Sequence, residues 1–141
     1  MQEAAAGTGV KILYHNHDLE FLTCSDGAYV LDHIKADGKQ IDVYWAAKGM
    51  GGNLSDAVCY VRSHIEDVYL LHIKDGMDGT DGRNDICSWG AGNYDIQSIL
   101  DIARECGHLE WVIAENDTPA GTGLEDALET AKYAAGLDFG R

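Results

Sequence analysis

Six side chains have the types and spacing that metal or acid–base chemistry needs: His15, His17, Asp42, His72, Lys74 and Glu115. His15 and His17 stand two apart in Tyr14-His15-Asn16-His17, so an extended backbone points both rings to one face, which Leu13 shares. A lone histidine is usually a hydrogen-bonded structural residue. Two on one face, with Asp42, His72 and Glu115 on neighbouring segments, point instead to a shared ligand set. Imidazole nitrogen mixed with carboxylate oxygen suits Mn, Co, Zn or Fe better than Ca. Asp42 lies inside Ile41-Asp42-Val43-Tyr44-Trp45. A helix or loop cap is its structural alternative, but an ionised carboxylate in an apolar strand needs a partner, and a metal is the best candidate. Glu115 follows directly on Trp111-Val112-Ile113-Ala114. Beside a cation such a carboxylate can bind the metal or remove a proton from carbon next to a polarised carbonyl. Lys74 shares the face of His72 and either orients a substrate oxygen or is a solvated strand end.

These residues end four short runs rich in Val, Ile, Leu and aromatics, which read as buried strands over residues 10–16, 40–45, 68–73 and 110–114. Residues 2–6 resemble the last turn of a helix stopped by Gly7 and Gly9. Residues 17–27 read as a polar loop and 28–36 as a short helix with Val30, Leu31 and Ile34 apolar. The glycine-rich turn 48–52 leads to a helix capped by Asn53 or Ser55 and running to residue 65, with Leu54, Val58, Val61 and Ile65 in phase. Asp95 caps another through Ile96, Ile99, Leu100, Ile102 and Ala103, which Gly107 ends. A last helix, residues 124–135, turns Leu128, Ala131 and Ala135 inward. The stretch 75–94 carries five glycines. Its acidic part, 75–82, fails the EF-hand spacing in every register and reads as a mobile lid. Strand, loop and helix thus repeat four times, as in a (β/α) barrel or an open α/β sheet. Strands joined by helical crossovers run parallel and collect functional groups at their C-terminal edge, where His15, His17, Asp42, His72 and Glu115 would meet.

With 141 residues, 45% hydrophobic content and one proline, the chain suits a single domain over residues 1–141. Ten basic residues against 24 acidic ones give a net charge of −14, which repels phosphate backbones and argues against nucleic acid as a partner. No run of about 18 apolar residues offers a membrane span. The amino terminus lacks the pattern of a signal peptide, so a cytoplasmic location is the default expectation. Cys24, Cys59, Cys87 and Cys106 are far apart, without a Cys-x-x-Cys pair, and read as reduced thiols. Neither a phosphate-cradling P-loop nor a nucleophile elbow is present.

The stretch Tyr14-His15-Asn16-His17-Asp18-Leu19-Glu20-Phe21 closely resembles the "YHNHDFEF" segment of the sugar phosphate isomerase/epimerase family, the xylose-isomerase-like TIM barrels. Asp42-Val43-Tyr44-Trp45-Ala46-Ala47-Lys48-Gly49, His72-Ile73-Lys74-Asp75, Gly90-Ala91-Gly92 with Tyr94-Asp95, and Glu110 to Asp117 resemble its later motifs in the right order. The resemblance implies a C-terminal half-barrel, strands five to eight with flanking helices. It implies His15, Asp42, His72 and Glu115 as ligands to a divalent metal, Mn first and Mg, Co or Zn as alternatives. His17 is the fallback for the first place, where the epimerases carry glutamate. The implied chemistry is proton abstraction by Glu115 next to a metal-bound carbonyl of a sugar or sugar phosphate, with Lys74 or His17 shuttling or stabilising charge. Two-base epimerisation needs a glutamate on each side of the carbon, and only Glu115 stands out here. Elimination on keto-sugars or keto-inositols, and a non-catalytic half-barrel, are the alternatives. Trp45, Trp89 and Glu20 are the expected substrate contacts, although core packing is the commoner fate of a tryptophan like Trp45. Exposed half-barrel edges imply association, as a homodimer or with a complementary half.

Overall fold

Four parallel strands form one sheet in chain order: β1 (Leu13–His15), β2 (Gly38–Asp42), β3 (Val68–Ile73) and β4 (Trp111–Ala114). The structure is a computed structural model describing residues 2–79 and 85–140. Helices α1 (Gln2–Ala5), α2 (Val30–His33), α3 (Val43–Gly49), α4 (Leu54–Ser63), α5 (Ile96–Glu105) and α6 (Gly123–Ala134) complete it. An unbroken order β1-β2-β3-β4 lacks the reversal that a flavodoxin-like sheet requires, and it is the order of one half of a (β/α) barrel.

The core lies between the sheet and α3, α4 and α5, filled by Ile41, Leu71 and Ile73 from the strands and Tyr44, Val61, Ile99 and Leu100 from the helices. α4 and α5 form where the sequence places them. Asn53 accepts from the Ser55 backbone N–H and Asp95 from that of Ser98, so each side chain satisfies a donor left open at a helix start.

Three expectations need correction. The second strand does not run from 40 to 45: it ends at Asp42, whose carboxylate accepts from Trp45 N–H and starts α3 at Val43. The strand-forming types Val43, Tyr44 and Trp45 become helical because the cap and the burial of α3 outweigh their weak preference. The first strand and first crossover helix shrink to three and four residues, β1 and α2, and Phe21, in the 3-10 turn Leu19–Phe21, fills the space between them and Tyr60. Finally, α6 is rotated. Leu128 is 52% exposed, whereas the half-buried positions are Asp126, Thr130 and Ala134. Polar contacts fix this face: Ser88 and Asn116 donate to Asp126, and Trp89 N–H donates to Thr130 Oγ1.

The expected lid falls partly on residues 80–82, which lie outside the described residues. Its described part is tethered. Leu54 N–H donates to Asp78 Oδ1 at 2.7 Å, Gly79 N–H to Gly52 O at 2.7 Å, and Asp78 N–H to Asn93 Oδ1 at 2.6 Å.

Candidate functional site

Strand register brings the site together. Asp42 on β2 pairs with His72 on β3, and Glu115 follows β4, its N–H donating to Ile73 O at 3.1 Å. Donor atoms of Asp42, His72 and Glu115 all lie within 4.8 Å of one another. Asn16, given no role from the sequence, locks β1 onto this edge. Its side chain donates to Asp42 O at 3.1 Å and accepts from Asp42 N–H at 2.9 Å.

Lys74 occupies the middle of the cluster. Its ammonium donates to Asp42 Oδ2 at 2.5 Å and Glu115 Oε2 at 2.6 Å, with Asp117 Oδ2 at 3.7 Å. It is therefore not a solvated strand end: the residue is 1% exposed and bound to two carboxylates. The partner that buried Asp42 requires is supplied by this ammonium, together with the α3 cap. Burial disfavours the charged form of Lys74, but the adjacent Asp42 and Glu115 outweigh it and raise its pKa. Burial pushes the Asp42 carboxyl up, against the pull of Lys74. It would also raise Glu115, but hydrogen bonds from Lys74 and His72 reverse the shift and hold it down at about 2.

His72 Nδ1 lies 2.5 Å from Glu115 Oε2, and its Nε2 lies 2.8 Å from Gln40 Nε2. With the Gln40 amide donating, the network assigns the neutral Nδ1–H tautomer, which donates to Glu115. His15 stands edge-on to His72 at 4.7 Å between ring centres, with Nε2 3.9 Å from Asp42 Oδ2. Its Nδ1 is buried without a hydrogen-bond partner, and burial lowers its pKa, favouring the neutral ring.

The other expected residues divide. His17 is exposed and outside the donor cluster, with its ring 5.6 Å from Trp45 and 5.2 Å from His15. Trp45 is half-buried and keeps a buried, unpartnered indole N–H. Glu20 is not among the clustered donors: it accepts from Tyr14 Oη and from His17 N–H, both at 2.9 Å, and so shapes the turn carrying His17. Trp89 is not available as a substrate wall. It is 5% exposed, and its indole donates to Ile73 O at 3.0 Å.

Asp75 does more than its place in the acidic loop implies. Its buried carboxylate accepts backbone N–H groups of Gly76, Gly90, Gly92 and Tyr94 at 2.7–3.1 Å. A Cβ on Gly92 would run into Asp75 Oδ1 and the Gly76 backbone, so glycine is required there. The His-x-Lys-Asp string offered the signal, because a carboxylate directly after an apolar strand needs donors. A recess of about 460 Å³ opens beside Glu115, lined by Asn116, Pro119, Ala127, Thr130 and Ala131. A larger one, about 570 Å³, lies by Trp111, Val112 and Phe139 and touches none of the cluster.

No protein-family model matches the chain, and no curated protein does. Two crystal structures from Parabacteroides distasonis ATCC 8503 do. One sugar phosphate isomerase/epimerase superposes with a TM-score of 0.67 at 21% identity, and a second with a TM-score of 0.64 at 26% identity. Each alignment covers 91% of this chain but 46% of the other, so the chain spans about half the length of the structures it matches. Fold and strand-end geometry define a parallel (β/α) half-barrel. In fold the chain is similar to one half of these sugar phosphate isomerase/epimerase structures.

Proposed function

We propose that the strand-end cluster is part of a metal-dependent sugar or sugar phosphate isomerase/epimerase site that removes a proton from carbon next to a carbonyl. The observation that carries this reading is the convergence of Asp42, His72, Lys74 and Glu115 from three neighbouring strand ends. The donor set fits a divalent ion of the Mn, Mg, Co or Zn type. Three donors lie within 4.8 Å of one another, and His15 adds a buried, unpartnered ring nitrogen. His15, Asp42, His72 and Glu115 would hold such an ion. When bound, it would polarise the substrate carbonyl and its neighbouring hydroxyl.

The residues' own work follows from their contacts. Glu115 is ionised throughout the neutral range, but in the present ion pair it is a weak base. It gains basicity when Lys74 turns its ammonium from Oε2 toward a substrate oxygen, and that same motion sets positive charge where an enediolate develops. Asp42, fixed by the α3 cap, keeps Lys74 protonated. The half-buried face of Trp45 beside His17 suits a sugar ring.

The test is solvent deuterium exchange into keto-sugars and keto-sugar phosphates, followed by NMR with added Mn. The protein should wash out a proton next to the carbonyl, and Glu115→Gln should stop exchange without changing the circular dichroism spectrum. Exchange retained by the variant removes Glu115 from the mechanism; none by the parent protein across the panel sinks the proposal. Glu115 with imidazoles rather than a second glutamate also suits elimination, which the same spectra would record as loss of water.

A further inference from the structure

A second set of metal donors lies in the segment between β1 and β2, sharing no residue with the strand-end cluster. Donor atoms of Cys24, Asp26 and His33 all lie within 4.8 Å of one another, and His33 Nε2 is 3.1 Å from Asp26 Oδ2. The chain presents these three from a closed turn. Thr23 and Tyr29 form an antiparallel bridge, Cys24 N–H donates to Ala28 O at 2.7 Å, and Gly27 N–H donates to Cys24 O at 3.0 Å. Gly27 closes the turn at φ +88°, a conformation L side chains rarely adopt. Asp26 Oδ1 accepts from Ala28 N–H at 3.1 Å, which orients the carboxylate so that Oδ2 meets His33.

We infer that Cys24, Asp26 and His33 form a binding site for a borderline-soft divalent cation, of which Zn²⁺ and Co²⁺ are the fitting examples. Three considerations support the assignment. Thiolate, imidazole and carboxylate are the donor types that select Zn over Ca or Mg. In a tetrahedral zinc site neighbouring ligand atoms sit about 3–4 Å apart, given metal–ligand distances of about 2.0–2.3 Å, so these side chains need little adjustment to close on an ion. A hydrogen bond that fixes a ligating carboxylate is also the usual support of such a site. Cys24 is half-buried while Asp26 and His33 are exposed, leaving a fourth position to water. Bound there, the ion would clasp the turn to the end of α2, above Tyr29, whose ring packs edge-on with Phe21 and Tyr60.

Titration of the metal-free protein with Co²⁺, followed by absorption, tests the assignment, because only a cobalt–thiolate bond gives a near-ultraviolet charge-transfer band. The band should saturate at one Co²⁺ per chain, be bleached by added Zn²⁺, disappear in Cys24→Ser, and persist in Glu115→Gln and His72→Ala. Asp26→Asn and His33→Gln, both at exposed positions, should weaken Co²⁺ binding by more than about tenfold. They keep the test decisive even where Cys24→Ser perturbs folding. Absence of the band in the parent protein, or a band unchanged by Cys24→Ser, Asp26→Asn and His33→Gln, overturns the inference. Because the readout is a thiolate bond, it stands apart from the fate of the strand-end site.

Discussion

At Lys74 the cost of burying charge is met by two carboxylates. An ammonium 1% exposed is tolerated because Asp42 and Glu115 both accept from it. Removing one member of such a group leaves the others uncompensated. Lys74→Met should therefore lower unfolding free energy by about 3–5 kcal/mol. Adding Asp42→Asn, which keeps an oxygen to cap α3, should restore much of the loss. Urea denaturation of the parent, both single variants and the double variant gives the coupling, and purely additive effects would show that the pair is not an energetic unit. The neutral His15, unpartnered at Nδ1, is the converse case: a group whose hydrogen-bonding capacity the protein leaves unused.

Among the elements, the segment joining β3 to α5 shows how a long connection is kept in place. Its described residues hang on the buried Asp75 carboxylate, where Oδ1 accepts from Gly76 and Tyr94 and Oδ2 from Gly90 and Gly92. Asp75→Asn sets an amide against two of these donors, with an expected cost of at least about 2 kcal/mol. Hydrogen exchange at the amides of Gly90, Gly92 and Tyr94 should accelerate well before global unfolding. Unchanged protection at those amides would mean that packing of Trp89 and Tyr94, not the carboxylate, holds the segment. α6 is the opposite kind of element. A capping box between Thr122 and Glu125 starts it, yet none of its residues is buried. Its local signals are strong, and its tertiary anchoring rests on the polar contacts of Asp126 and Thr130 rather than on full burial.

Across the whole molecule, the described sheet ends at β1 on one side and β4 on the other. On the edge strand β4, Trp111 is 67% exposed and lines a recess with Val112 and the exposed Phe139. We propose that this edge associates with a second copy of the chain. At micromolar concentration the chain should sediment as a dimer rather than at its monomer mass of 15.3 kDa. Trp111→Glu should shift it toward monomer. A parent protein that is monomeric throughout would show that this surface is stable alone, and the association reading would fall.

The sequence by itself determined the alternation of strand and helix, the limits of β3, the Asp95 cap, and the strand ends that carry His15, His72 and Glu115; it offered Asn53 or Ser55 for one cap and set Asp42 inside a strand rather than at its end. Each depends on hydrophobic period and capping chemistry within a few residues, and these act locally. Tertiary structure alone decided that Lys74 bridges Asp42 and Glu115, 32 and 41 residues away in sequence. It also converted Val43-Tyr44-Trp45 to helix, buried Trp89, turned the Leu128 face of α6 outward, and set His33 against Asp26 and Cys24. The reason is physical. Which strand lies beside which, and at what register, follows from the balance of the whole core, so contacts between distant strand ends and turns have no signature in the local pattern that builds each element.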